Sequence, residues 1–412
     1  MLKKIPTTEL CIGMYIHEFC GGWMDHPFWR SHFSVHDAHD LDRVRECGVT
    51  EVWIDTSRGI DVSPEHREQA VLPAAVEREV DHMLAQDQHA PASAQQIEFD
   101  AELRRAAGIC DRSKNAVMSM FREARMGKAV NAEAAGELVD EISSSVMRNP
   151  GALISLARLK NADDYTYMHS VAVCALMVAL ARQLGQDEAT VRELGLAGLL
   201  HDLGKAMMPN DVLNKPGKLS DEEFAIMRGH PGEGHRLLLE GHAVGEIPLD
   251  VCRHHHEKMD GSGYPDHLSG EQISLFARMG AVCDVYDAIT SNRPYKAGWD
   301  PAESVRKMAE WCKGHFDEEV FHAFVRSIGI YPSGSLVQLT SGRLGIIVEQ
   351  SASLMQPVVR VFFSTKAQTY IQPELLDLSR PSVSDRIASR EDPAKWGLTH
   401  INRFLYGDLG PH

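Results

Sequence analysis

Leu199-Leu-His-Asp-Leu-Gly-Lys205 ends a run of helical spacing that Asp187 can cap and that continues through Val191, Leu194 and Leu199. A histidine and an aspartate side by side at a helix terminus can offer an imidazole nitrogen and a carboxylate to one site. The carboxylate can bridge two cations, which a neutral imidazole cannot do. Gly204 permits a tight exit from the helix, and Lys205 then points a cation at whatever the metals bind. Taken alone, such a pair is more often core or surface decoration, so its weight depends on further ligands.

Further ligands are present. Seven of the 21 histidines fall between His230 and His267, among aspartates and glycines rather than in a tag-like tract. His169 sits in the middle of a helical pattern, His230 precedes Pro231, His255 and His256 precede Glu257, and Asp284 opens Asp284-Val-Tyr-Asp287. Each alone reads as a hydrogen-bonded core residue. With His201 and Asp202 they make seven ligand-type side chains in one helical region, and burying so many without a cation is costly in desolvation.

From Ala152 to about Ile328 the signals are almost all helical, which makes the chain mainly α with a helical bundle at its centre. Met168 to Leu184 is apolar on most sides, as for a helix inside a bundle, and Gly185 suits its C-terminal stop. Ser220 and Glu223 form a capping-box pattern that places Phe224 and Met227 toward the core. Residues 1–62 read as a small α+β domain. Its strand-like runs are Cys11 to Ile16 and Val49 to Asp55, with a short helix over Asp40 to Gly48 and Trp23, Phe28, Trp29 and Phe33 as core aromatics. Residues 63–139 read as a helical linker region in which Val117, Met120, Phe121 and Ala124 share a face. The bundle occupies 140–332. In 333–412 the period changes to two at Leu336, Leu344 and Val358, giving a short β-rich extension, a β-meander, followed by a polar tail whose last thirty or so residues are expected to be partly ordered.

Length and composition bound the function. At 412 residues, 43% hydrophobic and 24% charged, the chain suits two or three globular units. A net charge of −16 argues against duplex nucleic acid as a partner, yet leaves room for a small phosphate ligand held by local cations. No run approaches the roughly 20 apolar residues of a membrane span, and no signal-peptide pattern follows Met1, so a cytoplasmic location is expected. The eight cysteines are scattered without a C-x-x-C pair, which points away from both a structural zinc knot and a disulfide framework.

His201-Asp202-Leu-Gly-Lys205 and His255-His256-Glu257-Lys-Met-Asp260-Gly-Ser-Gly263-Tyr264-Pro265 resemble the two signature motifs of the HD-GYP family, and His230-Pro231-x-x-Gly and Asp284-x-x-Asp287 fit its order. The resemblance covers roughly residues 140–330. It implies an HD-type phosphohydrolase that hydrolyses cyclic di-GMP to pGpG, with GMP as the product of a second cleavage. It also implies His169, His201, Asp202, His230, His255, His256 and Asp284 as metal ligands, with Asp202 as the bridge and iron or manganese as the ions. Family members with a third metal carry a glutamate four residues before the first histidine; here that position is Tyr165, with Asp163 and Asp164 off register, so two divalent ions are expected. Two such ions about 3.5–4 Å apart make hydroxide available near neutral pH for in-line attack on phosphorus, while Lys205 helps neutralise the developing charge.

Arg293 and Lys296 supply a planar fork and a point charge that suit phosphate oxygens, and the family pattern assigns them to substrate binding. Asp260 and Asp287 can each orient a ligand imidazole, with a solvated surface carboxylate as the alternative. In the family the Gly263-Tyr264-Pro265 loop lies beside the site, positions the ligand and offers a surface to protein partners; the alternative is a structural turn made by Gly and Pro in which Tyr264 caps a core. The first sixty residues are similar to an uncharacterised domain that often precedes HD-GYP modules, and a regulatory or dimerising role would make a homodimer the assembly to test for. Two rivals stand beside the enzyme: a degenerate member that binds cyclic di-GMP as a signalling adaptor, and a phosphohydrolase for another cyclic dinucleotide.

Overall fold

A computed structural model describes residues 2–20, 33–35, 41, 44, 51–60, 99–159, 165–215, 217, 219–242, 244–291, 298–312, 314–351 and 353–406. The chain divides into two compact units, Met1–Met83 and Leu84–His412.

The first unit is built on an antiparallel sheet of order β1-β4-β2-β3, comprising Leu2–Pro6 (β1), Tyr15–Cys20 (β2), Phe33–Ser34 (β3) and Glu51–Asp55 (β4). β4 alternates as its sequence suggests: Val52 and Ile54 are buried, while Glu51, Trp53 and Asp55 are half-buried. Among the described residues its core packs Ile5, Leu10, Met14, Ile16, Val35, Val44, Val52 and Ile54 together. The strand expected from Cys11 begins only at Tyr15, because Gly13, at φ 94°, turns the chain first. Leu41 and Val44 are helical. Trp23, Phe28, Trp29, the rest of the 40–48 segment and the 61–98 stretch lie outside the described residues.

The second unit is a helical bundle with a sheet joined to it. Its helices are Phe99–Arg125 (α1), Ala132–Arg148 (α2), Pro150–Ala157 (α3), Tyr165–Gln183 (α4), Glu188–Leu200 (α5), Asn210–Leu213 (α6), Asp221–Met227 (α7), His230–Leu239 (α8), Glu246–His254 (α9), Leu275–Thr290 (α10), Pro301–Trp311 (α11), Glu318–Ile328 (α12) and Arg403–Tyr406 (α13). α4 lies at the centre, against α1, α5, α10 and α12, and is buried continuously from Met168 to Ala181. By length and composition it could cross a membrane, but 78% of its apolar window is buried inside the protein, where it serves as the bundle's core helix. Asp187 caps α5 by accepting the Thr190 N–H, and the capping box at Ser220 and Glu223 forms as expected. Phe224 and Met227 are only half-buried, since α7 lies at the surface with no buried residue. Glu102 of α1, fully enclosed, accepts from Ser145 (2.7 Å) and Arg148 (2.7 and 2.8 Å), which pins α1 to α2.

The C-terminal sheet is antiparallel with order β8-β7-β6-β5-β9: Leu336–Leu339 (β5), Arg343–Glu349 (β6), Val358–Ser364 (β7), Thr369–Asp377 (β8) and Ile387–Arg390 (β9). The last two strands exceed the expected meander. The tail read as partly ordered runs through β9 and α13 to a buried Leu405 and Tyr406, whose hydroxyl donates to the Ser155 carbonyl (2.9 Å).

Asp385 ties the turn after β5 to the start of β9. It accepts from Thr340 Oγ1 (2.7 Å) and the Ser341 N–H (2.9 Å) and pairs with Arg343 (3.1 Å). Burial favours its neutral acid, but these partners prevail and draw the carboxyl down to about 2. A carboxyl lowered by folding contributes stability that is present above its ordinary value and lost as pH falls through the folded one. Asp385→Asn is therefore expected to cost about 2 kcal/mol at neutral pH, with the difference from wild type closing between about pH 4 and pH 2. Denaturant unfolding across that window reads the effect directly.

Candidate metal centre

Each motif residue reaches the centre because a helix ends, or turns inward, where it stands. His169 projects from the first turns of the buried α4. His201 and Asp202 follow the last residue of α5, His230 opens α8 with Pro231 behind it, His255 and His256 follow α9, and Asp284 and Asp287 lie one turn apart on α10. The 3-10 turn Leu203–Met207 sits so close to the start of α8 that a Cβ on Gly204 would overlap the backbone of His230 and Gly234. Glycine at 204 is thus a condition for bringing His201 and His230 together.

All seven candidate ligands converge. His169, His201, Asp202, His230, His255 and Asp284 are buried, and His256 is half-buried. Donor atoms of six of them form two groups, His169–His201–Asp202 and His230–His255–His256, each with donors within 4.8 Å of one another. Asp202 stands between them. Its Oδ2 is 3.4 Å from both His169 Nε2 and His201 Nε2, and its Oδ1 is 3.2 Å from His230 Nε2 and 3.9 Å from His255 Nε2. Asp284 spans the same gap, with Oδ1 2.9 Å from His169 Nε2 and Oδ2 3.7 Å from His256 Nδ1.

The outward nitrogens decide what the inward ones can do. His201 Nδ1 donates to the Gly198 carbonyl (2.8 Å), His230 Nδ1 to that of Met227 (2.8 Å) and His255 Nδ1 to those of Val251 and Cys252 (3.0 Å each). A carbonyl only accepts, so these rings, when neutral, turn an unprotonated Nε2 inward. Burial, reinforced by neighbouring imidazoles, pushes His255 down to about 3 and also lowers His201 and His256, so neutrality is their state. Lone pairs thus face one another across 3.4 Å (His230–His255), His201 Nε2 lies 3.3 Å from His169 Nε2, and the buried Asp202 Oδ1 has no hydrogen-bond donor among the described residues. Acceptors crowded around a common point repel unless a cation lies among them; the donor set fits divalent metal ions.

The carboxylates are ionised. Burial favours their neutral forms, but the Lys205 ammonium holds Asp202, and His169 holds Asp284, well below the usual carboxylate range. Burial likewise opposes charge on His169, but the carboxylates of Asp284 and Asp287 raise it. Lys205 donates to Asp202 Oδ2 (2.5 Å), so its ammonium rests on the central carboxylate with further N–H donors to spare.

The remaining predicted residues divide. Asp287 Oδ2 lies 2.6 Å from His169 Nδ1, the position from which a carboxylate orients an imidazole. Asp260 is not brought to the centre. It is exposed, and its carboxylate accepts the Ser262 N–H within its own loop (2.9 Å). Tyr165 opens α4 with its ring stacked on His169, centroids 6.0 Å apart and planes 9° from parallel. Asp163, Asp164, Arg293 and Lys296 lie outside the described residues. Tyr264 is buried, packs on His256 (4.7 Å) and precedes a cis peptide to Pro265.

Sequence reasoning passed over Glu257. It is buried and accepts from the backbone N–H groups of Asp266 (2.7 Å) and Leu268 (3.2 Å), which fastens the Gly263-Tyr264-Pro265 loop beside the paired histidines. Its adjacency to His255-His256 was the available signal.

Residues 2–135 match the domain of unknown function DUF3391, and residues 146–320 match the HD domain. The chain is 54% identical over 409 residues to the cyclic di-GMP phosphodiesterase PA4108 of Pseudomonas aeruginosa, an alignment covering 99% of this chain and 96% of that one. The response regulator RpfG of Xanthomonas campestris, also a cyclic di-GMP phosphodiesterase, is 43% identical over 35% of this chain and 40% of its own. The 3'3'-cGAMP-specific phosphodiesterase 1 of Vibrio cholerae is 35% identical over 42% of this chain and 41% of its own. Among solved structures, Bd1817 of Bdellovibrio bacteriovorus aligns at 19% identity with a TM-score of 0.46, over 79% of this chain and 98% of that one. With the HD and Gly-Tyr-Pro motifs in place and a full-length relative at this identity, the chain belongs to the HD-GYP family of HD-domain phosphodiesterases, with a DUF3391 segment ahead of the HD domain.

Proposed function

We propose that this protein hydrolyses cyclic di-GMP to pGpG, with GMP as the product of a second cleavage, at a centre of two divalent ions. The observation that carries the reading is the division of Asp202, one oxygen toward each histidine group. His169, His201, Asp202 and Asp284 would hold one ion, and His230, His255, His256 and Asp202 the other. When bound, the ions supply Lewis acidity and a water that loses a proton near neutral pH. Iron or manganese suits the mixed imidazole and carboxylate set and the family resemblance. Tyr165, an aromatic where a third ion would need a carboxylate, supports two ions rather than three.

The chain's own residues do the rest. Lys205 reaches from Asp202 to the non-bridging phosphate oxygens and offsets the charge that grows on them in the transition state. Asp287 keeps His169 turned toward its ion, and Glu257 keeps the loop carrying Tyr264 against His256. Arg293 and Lys296 clamp the phosphates. Arg293→Ala is expected to raise KM for cyclic di-GMP on the order of tenfold while metal content stays at the wild-type value; an unchanged KM would show the clamp misplaced.

Further parts of the same proposal are a regulatory or dimerising role for the N-terminal module, domain divisions near residues 62, 139 and 332, protein partners at the Gly-Tyr-Pro loop and a cytoplasmic location.

The test is turnover of cyclic di-GMP by anaerobically purified full-length protein supplied with Fe(II) or Mn(II), with 3'3'-cGAMP run alongside. The account expects pGpG first, then GMP. Metal retained without turnover of either nucleotide would leave a binding adaptor as the better description.

A further inference from the structure

Arg228 occupies the junction between α7 and α8, two residues before His230. Its guanidinium carbon lies 5.1 Å from the ring centre of Phe224 and 5.0 Å from that of Tyr264. Tyr264 in turn rests on His256, 4.7 Å between centroids and 30° from parallel. The guanidinium is thereby held, by one aromatic ring, next to a candidate metal ligand.

Rings rather than carboxylates hold it. Several arginines of the bundle are matched by carboxylates, Arg236 by Glu233 and Glu240, Arg253 by Asp266, Arg278 by Asp317, and Arg306 by Glu303 and Glu310, while Arg125 and Arg158 bond carbonyl oxygens. Arg228 is exposed and has no carboxylate partner among the described residues, in a chain with 58 acidic side chains and a net charge of −16. Two aromatic faces fix its place while its N–H edge stays open to solvent. A guanidinium so placed presents a planar fork for two adjacent acceptors on a ligand at the site.

We propose that Arg228 is a nucleotide-binding residue that grips the substrate away from its scissile phosphate. This rests on the reading of the chain as a cyclic-dinucleotide phosphodiesterase. Two groups on such a substrate offer the matching acceptor pair: the oxygens of the second phosphodiester, and the O6/N7 edge of guanine. In the first case Arg228 adds affinity for any cyclic dinucleotide. In the second it selects guanine, a choice that matters in a family with relatives named for cyclic di-GMP and others for 3'3'-cGAMP.

The experiment compares the full-length wild type with Arg228→Ala and Arg228→Lys. It measures KM and kcat for cyclic di-GMP, 3'3'-cGAMP and cyclic di-AMP, equilibrium binding of a phosphorothioate analogue of cyclic di-GMP, metal content and melting temperature. Arg228→Ala is expected to weaken analogue binding and raise KM for cyclic di-GMP on the order of tenfold, by a larger factor than kcat falls, with metal content retained. Equal losses on all three nucleotides assign the phosphate; losses graded by the number of guanines assign the base edge. Should Arg228→Ala lower the melting temperature as well, Arg228→Lys decides, because it keeps the cation over the rings but lacks the fork: its analogue affinity should fall below wild type. Analogue affinity and KM at wild-type values in both variants would overturn the proposal and leave Arg228 as a brace for Tyr264. A wild type that hydrolyses none of the nucleotides would count against the hydrolytic reading on that arm alone, with analogue binding still deciding Arg228.

Discussion

Asp202→Ala is expected to abolish turnover, by roughly 10³-fold or more, a barrier increase of about 4 kcal/mol, and to strip metal from the purified protein. The reason lies in the position of this carboxylate rather than in its charge alone. Its two oxygens face different histidine groups at 3.2–3.4 Å, so one substitution disconnects both. It also leaves Lys205 without the carboxylate on which its ammonium rests. Asp202→Asn keeps the shape and removes the charge, and an amide bridges cations poorly, so it should share most of the loss. Metal analysis beside initial rates separates the two effects, and full activity in either variant would end the bridging account.

Asp287→Ala should have the next largest effect, on the order of 10–100-fold in metal affinity or in rate. Asp287 is buried, touches His169 Nδ1 at 2.6 Å, and is itself held by the Ser291 hydroxyl (3.1 Å). Without it, His169 loses the partner that fixes its ring orientation and makes its Nε2 more basic. The separating measurement is a titration of metal into apoprotein: weakened affinity with rates restored at saturating metal marks a positioning residue. Unchanged affinity together with unchanged rate would make Asp287 a helix carboxylate with no bearing on the centre.

How much of this was legible without coordinates depended on how local the signal was. His201-Asp202 and His255-His256 are adjacent pairs whose chemistry shows in the sequence; Asp187 and Ser220 announce helix starts through side chains that act within three residues, and Gly185 announces a helix stop through its positive φ. Asp260 and Asp287 looked alike from the sequence, each a carboxylate just past a ligand. Only the fold separates them, by turning one into a surface loop and the other onto His169. Glu257 was missed because the N–H groups it accepts lie nine and eleven residues away, beyond any spacing rule. β8 was missed for a different reason. It is an edge strand exposed along most of its length, and Pro373 interrupts it, so the half-buried alternation that marks a strand never develops. Phe224 and Met227 misled in the opposite direction, as apolar residues at helical spacing on a surface helix.

The central claim is a pair of ions sharing Asp202, and counting metal on anaerobically purified, iron-loaded protein tests it most directly, with Mössbauer spectra of the same sample reporting whether the ions are coupled. The account predicts two iron ions per chain with the magnetic coupling of a bridged pair. One ion per chain, two uncoupled ions, or a third bound ion would contradict it.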